Sequence, residues 1–248
     1  LSQLEHEAHQ ANNRIQLAYV HASYGTMAQA QGDWVKAREW YEKAHKTARI
    51  VHAPGPEGRA LGHLGDTYLQ EGNASYAVHL LREALPKLDS SGDVELSSYF
   101  VGRLGEAEMA AGHAQEGKTL LARALRLAEQ MQYRRYQRLW HITIAKLATQ
   151  EGAYAEAHRH YDAALKMMPA SAPEAESVLR EMAYVCLHVG HIDDAVTYAD
   201  RAHLLEPDNP QIKGVLGMAL RASGRSREAI PYLEAAASDG EPLDILRA

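Results

Sequence analysis

Two histidines one residue apart, His158 and His160, stand beside Glu156 and Asp162 in the segment EGAYAEAHRHYDAAL. Imidazole and carboxylate together are the ligand set of a zinc or other transition-metal site. The spacing argues against one. On a helix, two residues apart means about 200° of rotation, so the rings point to nearly opposite sides. His6 with His9 and His188 with His191 have the chelating spacing of three, but the second pair spans a glycine turn. Surface histidines without a metal are the preferred reading, and the fourteen histidines of the chain leave pH sensitivity open. For catalysis there is no serine elbow, no phosphate loop and no Cys-His signature, so neither an enzyme nor a cofactor is expected. Gly58, Gly62 and Gly65 mimic a nucleotide loop, yet they fall on a predicted helix with no strand before it. Cys186 lies in an apolar column and reads as a core residue. The run YRRYQRLW at 133–140 interleaves basic and aromatic side chains as some nucleic-acid surfaces do. The simpler reading buries Trp140 and solvates Arg134, Arg135 and Arg138, so nucleic acid is not the expected partner.

The elements that carry these residues follow from a repeat. Residues 31–45, QGDWVKAREWYEKAH, lie over residues 151–165 with Gly32 on Gly152, Trp34 on Tyr154, Ala37 on Ala157, Tyr41 on Tyr161 and Ala44 on Ala164. Six glycines anchor six such units: Gly32, Gly72, Gly112, Gly152, Gly190 and Gly224, with gaps of 40, 40, 40, 38 and 34. Seven residues before each stands Gly or Ala. Five after stand Ala37, Ala77, Gly117, Ala157, Ala195 and Ala229; twelve after, alanine stands in every unit. Such columns describe a helical hairpin. The glycine permits the turn, the small residues let paired helices approach, and large residues fill the space between hairpins. One hairpin cannot bury its own apolar face, so the units must stack.

Composition agrees. Hydrophobic residues are 46% of 248, rich in Ala and Leu with a single Phe, which favours helix over sheet. A net charge of −6 speaks against non-specific nucleic-acid binding. One cysteine excludes an internal disulfide and suits a reducing, cytoplasmic setting. No run reaches the roughly 20 apolar residues of a membrane span.

The columns resemble the tetratricopeptide repeat (TPR) over nearly the whole chain. That family has a small residue at its eighth position, glycine at the turn, alanine at the twentieth and twenty-seventh, and often a closing proline, here Pro169 and Pro207. The resemblance implies an all-α, right-handed superhelical solenoid of about six helix-turn-helix repeats in a single array over 1–248, with repeats near 13–51, 57–89, 95–131, 134–167, 174–205 and 210–238. The spacing of 40 in the first units points to an extended variety, with longer helices or longer connectors. Pro54 and Pro56 are expected to break the chain between the first two units, Ser90, Ser91, Gly92 and Asp93 to connect the next two, Pro86 to bend or end its helix, and Pro231 to fall near a helix start. Glu108 at an apolar position and Gly117 in an alanine column suggest looser packing in the third unit. Residues 1–10 resemble the tail of a preceding unit and 241–248 a further helix or cap, so a piece of a larger protein is expected.

The resemblance also implies that first helices line a groove that binds peptides or partner domains. The positions 13, 10, 6 and 3 before each glycine share one helical face. That face and its flanks give Arg59, His63, Asp66, Tyr99, Arg103, Glu106, Lys146, Arg180 and Tyr184 as groove candidates. Their mixture suits a protein or peptide ligand that is amphipathic or partly acidic. The carboxylate clamp of chaperone-binding repeats would need Lys or Asn at Ala22, Thr26, His63 and Tyr99; only Arg103 fits, so that clamp is absent. The sequence thus points to a non-enzymatic partner-binding module, or alternatively to the effector- or peptide-sensing arm of a multidomain bacterial signalling or transcription regulator. Gly62, Gly102 and Gly214 share one position, where helix packing is favoured over close approach by a ligand.

Overall fold

The computed structural model describes residues 13–169, 172 and 174–238, together with Gln3 and Ala8. Among them are twelve α-helices and no strand: α1 (Arg14–Ala30), α2 (Trp34–Ile50), α3 (Pro54–Gln70), α4 (Ala74–Ser91), α5 (Val94–Ala110), α6 (Ala114–Gln130), α7 (Arg134–Gln150), α8 (Tyr154–Lys166), α9 (Ala175–Val189), α10 (Ile192–Leu205), α11 (Pro210–Ala222) and α12 (Ser226–Ser238). Consecutive helices pair into hairpins 1 to 6, each turning at one of the six glycines. The hairpins fall into two compact units, Leu1–Tyr133 and Arg134–Ala248. The histidine pair His6 and His9 and the terminal segment 241–248 lie outside the described residues.

All six turns share one local signal, and the first two add a second. The glycine takes a left-handed backbone, from φ 73° at Gly152 to 93° at Gly112. A side chain added there would meet nothing within 4 Å, so backbone handedness rather than space calls for glycine. In hairpins 1 and 2 the residue after the glycine caps the next helix: Asp33 accepts from the Lys36 amide and Asn73 from the Tyr76 amide. The connectors between hairpins repeat as well. His52, Gly92 and Gln132 all sit at positive φ, each twenty residues past a turn glycine.

These tight connectors settle what lengthens the early repeats. Helices α1 to α7 run 17 or 18 residues, while α8 to α12 run 13 to 15. The extension is helix, not loop. Pro54 and Pro56 do not break the chain. They open α3 in its first turn, where backbone N–H groups have no intrahelical partner to lose. Ser90 and Ser91 belong to α4, which runs through Pro86, so only Gly92 and Asp93 connect. Pro231 likewise lies inside α12.

The alanine columns form the contact between paired helices. Ala37, Ala77, Ala157 and Ala195 are fully buried, as are Ala44, Ala84, Ala124, Ala164 and Ala202. Tyr41, Leu81, Leu121 and Tyr161 fill the space above them. The third hairpin is tighter than its sequence suggested. A methyl on Gly117 would overlap Met109 and approach the Gly105 carbonyl to 2.6 Å, so glycine lets α5 and α6 touch backbone to backbone. Glu108 is fully buried, but the Arg82 guanidinium at 2.6 Å and His113 Nδ1 at 2.7 Å satisfy its two oxygens. Gly62 also serves packing, because a methyl there would overlap the Phe100 ring.

Candidate partner-binding faces

In the N-terminal unit the first-helix face belongs to α1, α3 and α5. Asp66 on α3 is 3% exposed and gathers its neighbours. Tyr99 of α5 donates to Asp66 Oδ2 at 3.1 Å, and the Gln29 amide of α1 donates to the same oxygen at 3.3 Å. Arg103 forms ion pairs with Asp66 and with Glu106. The Tyr41 hydroxyl donates to Gln29 Oε1 at 2.8 Å, so the chain of bonds runs from hairpin 1 through hairpin 2 to hairpin 3. Burial opposes the charge of Arg103, but Asp66 and Glu106 outweigh it and keep the guanidinium protonated. Burial raises the Tyr99 phenol above its ordinary value, and Asp66 adds to the rise.

His63 completes the cluster. Its ring stacks on Tyr41 at 4.9 Å and meets the edge of Phe100 at 5.2 Å. Burial pushes its pKa down to about 4 against the opposing pull of Asp66, so it is neutral at pH 7. Its Nδ1 is buried without a hydrogen-bond partner. Arg59 stands apart from the cluster, donating to Asp93 at 3.0 Å and lying over the Tyr19 ring. Four expected groove residues, Asp66, Tyr99, Arg103 and Glu106, are therefore together and engaged with one another. Gln29, Tyr41 and Phe100 joined them unforeseen. Gln29 was legible, since it occupies in the first unit the groove-facing position three before the glycine.

The C-terminal unit is arranged differently. Lys146 is exposed on α7. Arg180 on α9 pairs with Glu181 at 2.9 Å and reaches Glu176 at 3.9 Å. Tyr184 borders an open cleft of about 320 Å³ floored by Leu187, Ile192 and Met218, with His188 and Arg221 at its rim. Its wall is rigidified by aromatic contact: His188 stacks flat on Tyr154 at 4.0 Å, and Tyr184 meets the edge of His188 at 4.5 Å. Burial lowers the His188 pKa. Ile192, His188, Met218 and Arg221 were missed. The last two stand six and three residues before Gly224, so the groove-face positions carried into the sixth unit would have found them.

The histidines behave as the helix geometry requires, but not as plain surface groups. His160 faces its own hairpin partner, with Nδ1 2.9 Å from His141 Nδ1, while His158 faces the next hairpin, edge-on to His191 at 5.1 Å. His188 and His191 go to different partners and do not converge. Glu108, His113 and Glu116 could reach one ion, but Arg82 already bridges the two carboxylates, at 2.6 and 2.9 Å. Trp140 is fully buried, and Arg138 is not solvated as expected but donates to Glu174 at 2.8 Å. Burial pushes the Cys186 thiol up to about 12, consistent with an inert core residue. No helix among the described residues is long and apolar enough to cross a membrane.

Comparison with known proteins rests on sequence profiles and on shape. No curated protein matches the chain in sequence. Among solved structures, a signal-transduction ATPase with numerous domains (STAND) carrying a tetratricopeptide repeat sensor, from Pyrococcus horikoshii, is similar at TM-score 0.75 and 14% identity, over 92% of this chain and 36% of that one. The Cut9–Hcn1 hetero-tetramer of the APC/C gives 0.70 and 15%, over 93% and 42%. BtubC from P. vanneervenii gives 0.67 and 18%, over 83% and 92%. The chain thus spans less than half of the first two, and at these identities the likeness concerns fold. Sequence profiles described as tetratricopeptide repeat match residues 15–89 and 148–219, more than half of the chain together. With the turn glycines, the alanine columns and the hairpin pairing, these matches establish that the chain belongs to the tetratricopeptide-repeat family, whose members generally act as non-catalytic scaffolds for protein–protein interaction.

Proposed function

We propose that the chain is a non-enzymatic module that recognises a peptide segment of a partner protein, and that the cleft bordered by Tyr184 receives it. The observation that carries this reading is the contrast in availability. In the N-terminal unit the first-helix face satisfies its own charges, whereas the C-terminal unit leaves an apolar floor open between Tyr184 and Met218. A floor of Leu187, Ile192 and Met218 accepts an aliphatic or aromatic side chain. Polar side chains at the rim of that apolar floor suit an amphipathic segment as the ligand. Of the nine expected groove residues, Tyr184 is the one we place against the ligand. Lys146 is exposed on the same unit, Arg180 pairs with Glu181 there, and Arg59, His63, Asp66, Tyr99, Arg103 and Glu106 are engaged within the N-terminal unit. The single buried thiol fits work in a reducing, cytoplasmic compartment.

The test is selection from a displayed random-peptide library on the intact chain, followed by titration of the selected peptide. Tyr184→Ala is expected to weaken binding about thirtyfold, the loss of about 2 kcal/mol typical of an anchor. A folded Tyr184→Ala protein that binds like the parent would remove the cleft from consideration. A second reading, a sensor arm of a larger regulator, draws on the likeness to the STAND protein with its repeat sensor. An NTPase or DNA-binding domain in the same gene would favour it.

A further inference from the structure

In several hairpins, the residue eleven before the turn glycine packs with the residue eight after it, clasping first helix to second. Hairpin 2 uses Leu61 and Leu80 within one apolar cluster, and hairpin 5 uses Leu179 and Tyr198. Hairpin 1 sets His21 against the Trp40 ring at 5.5 Å. Hairpin 4 alone among these puts two imidazoles there, His141 and His160. Their Nδ1 atoms are 2.9 Å apart and their ring centroids 5.1 Å apart. That centroid distance is near the largest that the nitrogen gap permits, so the rings meet end-on. End-on nitrogens make an N–H···N hydrogen bond, with one Nδ1 donating and the other offering its lone pair; the two rings therefore hold opposite tautomers. The same alignment is poor for a metal ion, whose ligand lone pairs must converge from the side at the angles of its coordination sphere.

Such a clasp has a limit that a leucine pair lacks. One added proton can be carried on the far nitrogen of the donor ring, and the bond survives. A second proton sets N–H against N–H and charge against charge. We propose that hairpin 4 is an acid-released clasp: double protonation of His141 and His160 parts α7 from α8, while hairpin 6, whose helices carry no histidine, stays closed. Resting on the cleft reading above, the release also reaches the ligand site, because Tyr154 at the start of α8 is the surface on which His188 of the cleft rim stacks.

The charged groups on the helices around the clasp are paired elsewhere or exposed. On α7, Arg138 is committed to Glu174, and Arg134, Arg135 and Lys146 are exposed. On α8, Asp162 is paired with Lys166 at 2.6 Å, Glu156 and Arg159 are exposed, and His158 turns to His191. On α9, the helix packed against both, Arg180 pairs with Glu181 and lies near Glu176. Burial first, then the His160 imidazole, lower the His141 pKa to about 4. Under the clasp the two rings are expected to titrate as one coupled unit rather than as independent groups.

The experiment is amide hydrogen exchange on the full chain at pH 7 and pH 4.5, each corrected for intrinsic exchange rates. Protection in α7 and α8 is expected to fall about tenfold more than in the histidine-free α11 and α12, and His141→Leu with His160→Leu is expected to abolish the excess. An equal fall in both hairpins, or an unchanged excess in the double variant, overturns the proposal. Should that variant fail to fold, proton NMR titration of the parent decides: coupled titration of the two rings supports the clasp, and two independent titrations near the ordinary value of about 6.5 refute it. Peptide affinity measured alongside separates the two readings. Loss of protection without loss of affinity keeps the clasp and detaches it from the cleft.

Discussion

Six residues before the turn glycine, hairpins 1 to 3 carry Thr26, Asp66 and Glu106, and hairpins 4 to 6 carry Lys146, Tyr184 and Met218. Within each unit the repeat gives this position one common direction, along the first-helix face. In the N-terminal unit that direction is occupied: Asp66 takes bonds from Gln29 and Tyr99 and the charge of Arg103, and Glu106 takes the rest of the same guanidinium. In the C-terminal unit the corresponding position opens onto a cleft. A repeat frame therefore fixes where a side chain points, while its neighbours decide whether it is available. Charged groups placed one repeat apart close on each other. Apolar ones of unequal size, such as Tyr184 and Met218, leave a hollow.

The sharpest way to break this contrast is Asp66→Ala. It leaves Arg103, 11% exposed, with half its countercharge and Tyr99 without its acceptor. Urea unfolding should show a loss of about 3 kcal/mol or more, as for other severed buried pairs; a loss below about 1 kcal/mol would mean the cluster is solvated and its face free for a ligand. Next comes acid. The folded-state pKa of His63 is about 4, below the ordinary 6.5, so the unfolded chain binds the proton first as pH falls. Stability from this group is complete above about pH 6.5 and declines toward pH 4, by about 2–3 kcal/mol across that window. His63→Phe should flatten that part of the acid limb of the urea midpoint; an acid limb identical to the parent's would remove His63 from the account. The smallest effect belongs to Lys146→Ala, an exposed side chain at the same frame position as Asp66. A stability change within about 0.5 kcal/mol is expected, and a larger one would show that the face of hairpin 4 is closed after all.

The hairpins were readable in the sequence because their signals are local. A glycine at positive φ, a capping Asp or Asn after the first two of them, and alanine where helices touch all act within a turn or two. The errors in the fold are local too. Pro54 and Pro56 mark a helix start as well as a break, and only the connector at His52 shows which applies. The third hairpin misled for another reason: Glu108 and Gly117 look like defects alone, and are explained by Arg82 in hairpin 2 and Gly105 in α5. The candidate site was less legible still. The periodicity identified the face, but nothing in spacing reveals that Tyr99 is consumed by Asp66 thirty-three residues earlier, or that Tyr154 stiffens His188. Long-range pairing of polar groups depends on which rotamers meet across hairpins, and one sequence does not encode that in any window.

The six turn glycines have a consequence for chirality. Their backbones lie where an L residue is strained, yet an added side chain would meet open space. What the chain needs at these points is the opposite hand rather than a missing atom. A D-amino acid prefers that hand, and it also narrows the wandering of the unfolded chain that glycine leaves wide. At these six turns the solenoid asks for the hand opposite to its own, and glycine, being achiral, supplies it without strain.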